Sequence, residues 1–401
     1  MQPITNCSYR INLILMISSA GEIAAIFKEK FNTAPKLFFS PGRINLIGEH
    51  IDYNDGFVMP AAIDKGIFFA VAPNNTKSIH VYSADMDEQL HIGLADIHVM
   101  DGWKNYILGV VDQLLKRNYP IDGFDVVFGG HLPVGAGLSS SAAVECGLAF
   151  ALNDIFNLKI SRIDIALICQ KAEHTYPGVQ CGIMDQFASV MGKKGHVLLL
   201  DCNTLQYETL PFHADEYAIV LINSKVHHSL DGGEYNVRRQ ESENGLLVLK
   251  EKYPSAKTFR DITPQQVKDA HPAFDDENVY NRCLYVTEEI ARTQSGATLL
   301  KQDNIKAFGQ LMFKTHEGLS KLYEVSCEEL DFLVDLAKEH PEILGSRMMG
   351  GGFGGCTINI IPKDKVEVIT CDIIKKYREK YGINAELYAM QLSDGTYAIT
   401  E

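Results

Sequence analysis

Residues 132–143, LPVGAGLSSSAA, constrain this chain more than any other segment. Gly135 and Gly137 let the backbone approach a partner closely and adopt φ values closed to other residues. Ser139, Ser140 and Ser141 then open an Ala-rich apolar stretch, 140–153, that reads as a buried helix. A glycine turn must therefore run straight into the first turn of a core helix. Such a start gathers several N–H groups and the positive end of a helix dipole at one place, which suits a phosphate. No Lys-Ser/Thr pair closes the segment, so it is not a Walker A loop. An N-capped buried helix without a ligand would carry the same residues.

The rest of the chain alternates between strand and helix signals. Ile23, Ile26, Phe27 and Phe31 lie on one face of a helix over 20–32, which Pro35 stops. KLFFS reads as a short strand broken by Pro41-Gly42, and further strands are predicted at 57–60, 67–73, 79–84 and 123–128. A helix over 104–117 turns Ile107, Val110, Val111, Leu114 and Leu115 inward. Ser161 and Asp164 have capping-box spacing and open a helix to about 173, before strands at 195–201 and 217–223. The second half predicts helices at 233–252, 278–293 and 303–318, and a capping box at Ser326 and Glu329. A glycine cluster at 350–355 leads into the strand TINII. A helix over 364–380 and two short strands within 385–399, around Ser393-Asp394-Gly395, complete the chain. Without regular βαβ alternation, the fold class is α+β. A length of 401 residues suits two domains sharing an interface, with a boundary near 200–212.

Composition narrows the function. Hydrophobic residues make up 46% and charged residues 22%, enough apolar material for a sizeable core. The net charge of −14 repels phosphate backbones and anionic lipid, so no nucleic-acid or membrane partner is expected. It does not forbid a nucleotide, because local N–H groups bind phosphates inside an acidic protein. Nine cysteines, with no CxxC pair, argue against a disulfide framework or a zinc site and for a reducing cytoplasm. The apolar run INLILMI at 11–17 is too short to span a membrane and is interrupted by Asn12. No convincing cleavage site follows it, and Met16 is the expected natural start, with 1–15 an extension.

Three further groups of residues carry chemistry. Residues 40–60, SPGRINLIGEHIDYNDGFVMP, crowd Arg43, Glu49, His50, Asp52 and Asp55 among apolar neighbours between two turn signals. A sugar needs such a cluster, because each buried hydroxyl must be paired. A capped turn with solvated charges is the alternative. Residues 347–356, RMMGGGFGGC, hold five glycines within six positions, so either something approaches that backbone or the turn is very tight. Glu173, near the end of an apolar helix, and Asp185, among apolar residues, are each either a paired structural acid or part of a phosphoryl-transfer site. Such a site needs a magnesium carboxylate and a group that orients or deprotonates the acceptor.

Together these motifs resemble the galactokinases of the GHMP kinase superfamily. The first motif resembles the galactokinase signature, 132–143 the superfamily's phosphate loop, and 347–356 its glycine-rich third motif. WKNY at 103–106, AEHTYPGVQCGIMDQF at 172–187, GGEYNVRR at 232–239 and LYEVSCEELD at 322–331 extend the likeness from about Ala20 to the C-terminus. The resemblance implies two α+β domains, 16–205 and 206–384, with the strands of 385–401 rejoining the first and the active site in the cleft between them. It implies ATP-dependent phosphorylation of the C1 hydroxyl of galactose by a cytoplasmic monomer. In this likeness Asp185 would act as the base or orient that hydroxyl, and Arg43 would stabilise charge on the transferring phosphoryl group and hold Asp185 ionised. By the same resemblance Glu49, His50, Asp52, Gly182 and Tyr235 would hold the sugar hydroxyls. Gly135, Ala136, Gly137, Leu138, Ser139, Ser140 and Ser141 would cradle the triphosphate of ATP, Ser141 and Glu173 would place Mg²⁺, and Trp103 and Tyr106 would line the adenine pocket. Met349, Ile51 and Gly233 depart from the family pattern, which expects Thr, Thr and Ser there. Related kinases for N-acetylgalactosamine or arabinose, and non-catalytic galactose sensors, share these motifs. Sensors typically shorten the serine-alanine part of the loop, which is intact here.

Overall fold

The computed structural model describes residues 19–132, 137–212, 216–227 and 233–400. The expected start at Met16, the segment before it, and Gly135 and Ala136 of the glycine turn lie outside them. Helix α1 (Ala20–Phe31) starts at Ser19, whose hydroxyl accepts the Glu22 N–H, and ends at a left-handed Asn32. Strands β1 (Lys36–Asn45), β2 (Phe57–Val58), β3 (Pro60–Pro73), β4 (Ser78–Ser83) and β5 (Glu88–Gly93) follow, then α2 (Lys104–Lys116) and β6 (Phe124–Gly130). Helices α3 (Ser140–Ile155), α4 (Arg162–Thr175) and α5 (Met184–Met191) precede β7 (His196–Asp201), β8 (Tyr207–Pro211) and β9 (Tyr217–His227). The second half runs α6 (Gly233–Lys252), α7 (Pro264–Asp269), α8 (Glu277–Lys301), α9 (Ile305–Lys321) and α10 (Glu328–Glu339). It closes with β10 (Gly345–Met348), β11 (Gly354–Pro362), α11 (Val366–Tyr381), β12 (Glu386–Met390) and β13 (Tyr397–Ile399).

Sheet and helix are segregated in the α+β manner expected. One six-stranded sheet has the order β13-β1-β3-β6-β4-β5, and its β4–β6 pair is parallel. Period-two alternation along β3 covers both of its faces. Phe69 and Val71 enter the main core with Phe38 and the helices α2 to α4, while Ala70 and Ala72 meet Ile23 and Phe27 of α1. A four-stranded sheet, β10-β11-β9-β12, alternates likewise: Val220 and Ile222 face α10 and α11, and Ile219 and Leu221 join the main core with Phe308 and Met312 of α9. A small sheet, β2-β7-β8, packs near α8. The main core draws on both halves of the chain. Of the two strands expected to rejoin the first half, β13 pairs with β1, whereas β12 pairs with β9.

Several local expectations need correction. Pro41-Gly42 does not break β1, which runs on to Asn45 through a register shift between Pro41 and Arg43. Pro41 still pairs with Gly66, and the shift leaves Gly42 of β1 and residues 63–65 of β3 out of this ladder, which re-aims the strand beyond it. The bulge brings the Arg43 N–H to Leu138 O (3.1 Å), beside the serine loop. Cys327, not Ser326, is the N-cap of α10, and Cys327 makes no side-chain cap bond. Strands β5, β8 and β10 and helix α7 are short, and their weak periodicity left them unread in the sequence. Ile51 and Met349, two of the departures from family pattern, are buried core residues, and Gly233 begins α6.

Candidate active site

A cavity of about 130 Å³ opens where the β1 bulge, the start of α5, the start of α6 and the glycine cluster meet. Arg43, Glu49, His50, Asp52, Glu173, Asp185 and Tyr235 line it, with Val179, Cys181, Met184, Gly350 and Gly351. At its centre Arg43 donates to both oxygens of Asp185, Nε to Oδ1 and Nη2 to Oδ2, each at 2.7 Å. This fork-to-fork pairing is the strong form of an ion pair. Burial disfavours the guanidinium charge, but the adjacent Asp185 carboxylate more than offsets this and raises the Arg43 pKa. Arg43 Nη1 also donates to Gly137 O, and Ser139 Oγ donates to Asp185 Oδ2. Ser139 has φ 56° and makes no cap bond at the start of α3; its hydroxyl serves Asp185 instead.

One wall of the cavity is saturated by internal bonds. Glu49 accepts from Asn45 Nδ2, Gly350 N and the fully buried Arg347 (2.9 Å). Arg347 also donates to the carbonyls of Leu46, Asn45 and Met348, which ties the first motif to the third. From behind, Glu289 on α8 accepts the Gly48 N–H (2.9 Å) and Tyr285 donates to Glu49 O (2.8 Å). Burial lowers the His50 pKa to about 4, so its imidazole is neutral. Its Nε2 lies 3.2 Å from Gly351 O, so Nε2 carries the proton and donates. Nδ1 then accepts from Tyr53 OH (2.8 Å), which accepts from Tyr323 OH (2.9 Å). The Tyr235 ring stands 5.4 Å from the rings of both His50 and Tyr53.

The opposite wall is rich in acids and poor in cations. Asp52 sits beside Gly182, where any Cβ would overlap its carboxylate, so only glycine permits this approach. Burial, followed by the nearby Asp185 charge, raises the Asp52 pKa to about 7. The same two causes raise Glu173 to about 7, partly opposed by hydrogen bonds from Ser141, Cys181 and Gln186. Glu145 on α3, also buried, is pushed well up by burial and by Glu173.

The remaining loop residues flank this wall. Gly137 and Gly350 pack backbone against backbone: a Cβ on Gly137 would stand 3.2 Å from Met349 O, and one on Gly350 3.3 Å from Gly137 Cα. The backbones approaching the glycine cluster are therefore the serine loop at Gly350 and Val325 at Gly352. Leu138 is buried, Ser140 begins α3, and Ser141 contacts Glu173. Trp103 and Tyr106 at the start of α2 stand outside the cavity lining. The indole N–H donates to Glu88 Oε2 (2.9 Å), and burial raises the Tyr106 pKa to about 12, with Glu173 and Glu145 nearby.

Sequence comparisons identify the arrangement. The galactokinase galactose-binding signature matches residues 25–73, and the N-terminal and C-terminal domains of GHMP kinases match 105–193 and 297–379. A galactokinase of Fusobacterium nucleatum subsp. nucleatum is 41% identical over 92% of this chain and 97% of its own length. The chain belongs to the galactokinase family. The activity of such an enzyme is phosphorylation of galactose at the expense of ATP. Lactococcus lactis galactokinase, solved in complex with galactose, superposes with a TM-score of 0.91 at 33% identity, covering 94% of this chain and 99% of that one. Methanococcus jannaschii mevalonate kinase shares the fold at a TM-score of 0.64 and 18% identity, covering 90% and 99%. The two-domain α+β fold of the superfamily is therefore this chain's fold. Among the described residues no helix is long and apolar enough to cross a membrane.

In this galactokinase-family site the structure brings together residues that sequence reasoning proposed separately: Arg43, Glu49, His50, Asp52, Glu173, Asp185 and Tyr235 share one cavity. Sequence reasoning missed Tyr53, Tyr323, Glu289, Glu145 and Gln186. Tyr53 stands inside the first motif and carried a signal. Tyr323 meets it from 270 residues away, and no local pattern announces that contact.

No group of three or more His, Cys, Asp or Glu among the described residues is arranged to hold a metal ion. Magnesium does not require one, since it usually takes one or two carboxylates and completes its shell with phosphates and water. Glu173 is a buried carboxylate surrounded by neutral donors and other acids, with the Ser141 hydroxyl beside it. Hard oxygen donors with excess negative charge fit that ion.

Proposed function

We propose that the cavity transfers the γ-phosphoryl group of ATP to the anomeric C1 hydroxyl of galactose, with Asp185 as the group that orients or deprotonates it. The bidentate Arg43–Asp185 pair carries this reading. The pair stands between the sugar motif and the serine loop, where acceptor and phosphoryl donor must meet. Arg43 holds the Asp185 carboxyl in one orientation, and its charge also suits the transferring phosphoryl oxygens. Catalysis of this kind is mainly positioning and electrostatics, which two fixed groups on β1 and α5 can supply.

Glu49, Asp52, Tyr235 and the Gly182 backbone are the proposed sugar-binding groups, drawn from both walls, with His50 held neutral among them. Residues 135–141 are the proposed triphosphate cradle, and Trp103 and Tyr106 the adenine side. Ser141 and Glu173 are the residues that would hold Mg²⁺, which when bound neutralises charge on the triphosphate. We further infer a division into 16–205 with β13 and 206–384 with β12, and a cytoplasmic monomer with only small-molecule partners.

The test is ADP release alongside sugar 1-phosphate formation, with ATP, Mg²⁺ and a panel of galactose, N-acetylgalactosamine and arabinose. Turnover with galactose that falls by ~10²–10⁴-fold in Asp185→Ala supports the reading. Preference for another sugar of the panel would overturn the substrate. Binding of galactose and ATP without turnover would overturn the enzyme in favour of a sensor.

A further inference from the structure

Behind the acid wall lies a side chain with no role so far. Gln186 on α5 is fully buried, and its Nε2 donates to Glu173 Oε2 at 2.6 Å and to Glu145 Oε2 at 3.4 Å. It also lies 3.8 Å from Cys181 Sγ, and Cys181 Sγ in turn lies 3.6 Å from Glu173 Oε2. Glu145 comes from α3, the helix opened by the serine loop, and Glu173 from α4. One amide therefore joins three helices. Among the described residues Glu145 Oε1 and Gln186 Oε1, both buried, have no hydrogen-bond partner. Leaving such acceptors unpaired is unfavourable, which indicates that this amide's orientation is set by its donor end.

The position of Gln186 matters as much as its bonds. It follows Asp185 directly, and consecutive side chains on a helix point about 100° apart. Asp185 thus faces Arg43 and the loop while Gln186 faces Glu173. The first turn of α5 fixes both acids relative to each other.

We propose that Gln186 is a positioning residue that holds the Glu173 carboxylate at a set distance from Asp185, and so aligns the cation-binding group with the acceptor-activating group. The inference rests on the reading of Glu173 as the magnesium carboxylate. Partners of ligating carboxylates typically contribute 10–100-fold to metal affinity. Gln186 acts through Glu173 and touches neither substrate.

The experiment measures Mn²⁺ affinity of the full chain by electron paramagnetic resonance, with a non-hydrolysable ATP analogue bound, and galactose affinity by calorimetry. The variants are Gln186→Met, which keeps length without the amide, Gln186→Asn, which retracts the amide, and Glu173→Gln as reference. Both Gln186 variants are expected to weaken Mn²⁺ by about tenfold or more. They should raise the Mg²⁺ concentration for half-maximal rate and leave galactose affinity within about twofold. Unchanged Mn²⁺ affinity in both, with a loss in Glu173→Gln, overturns the positioning role alone. Unchanged affinity in Glu173→Gln overturns the reading of Glu173 and the inference with it. Joint loss of galactose and Mn²⁺ binding, the outcome of damage to the fold, also overturns it.

Discussion

The two walls of the cavity are built on opposite principles. On the wall formed by Glu49 and His50, each acid and each ring nitrogen has a protein partner, and the fully buried Arg347 offsets the charge of Glu49. On the wall formed by Asp52 and Glu173, with Glu145 behind it, burial and then repulsion from neighbouring carboxylates raise all three carboxyls. The first wall is finished by folding. The second is finished only when a cation or a hydroxyl-bearing ligand arrives, because acids gathered without counter-charge favour whatever compensates them. Preorganised geometry and stored binding potential are thus divided between two sides of one pocket.

The most damaging way to break this contrast is to remove the counter-charge of the finished wall. Arg347→Met leaves Glu49 buried without its cation and frees three backbone carbonyls. A loss of about 3–5 kcal/mol in unfolding free energy is expected by urea denaturation. A change under about 1 kcal/mol would mean that the wall is not held by this pair.

A smaller effect is expected on the acid wall. Gly182→Ala places a methyl group against the Asp52 carboxylate. Overpacking of this kind is expected to weaken galactose binding by about 1–3 kcal/mol, read by calorimetry. Unaltered affinity would remove Asp52 from the sugar-binding groups.

The smallest effect sharpens the acid side through pH. Asp52 keeps its proton in the folded protein up to about pH 7, against an ordinary aspartate value of 3.8. The unfolded chain binds fewer protons between those values, so the stability that this group contributes below the lower one is lost as pH rises towards 7. Asp52→Asn has no such loss. Its melting temperature relative to the parent is expected to rise by a few degrees between about pH 5 and pH 8. A constant difference across that range would show that Asp52 is already compensated.

Much of this site was legible in the chain. The crowding of Arg43, Glu49, His50 and Asp52 between two turns marked one side of it, and the glycine-serine turn marked the other. Asp185 and Glu173 stood out as acids among apolar residues. What misled was punctuation: Pro41-Gly42 read as a strand end, whereas the sheet absorbs it as a bulge that delivers Arg43 to the site. Ser326 read as a helix cap, yet the helix begins one residue later. Local signals identify residues that disturb regular structure, and tertiary packing decides whether the disturbance is a break or a bend.

By itself the sequence determined the segregated α and β elements, the buried serine-led helix and the cluster of groups able to pair with a sugar, because periodicity, capping and turn chemistry act over a few residues. Only the tertiary structure decided which distant groups complete them. Arg347 closes on Glu49, Glu289 on Gly48, Tyr323 on Tyr53 and Gln186 on Glu173. These partners are chosen by the requirement that a buried polar group find its complement wherever the fold brings one within reach, and sequence distance carries no record of that choice.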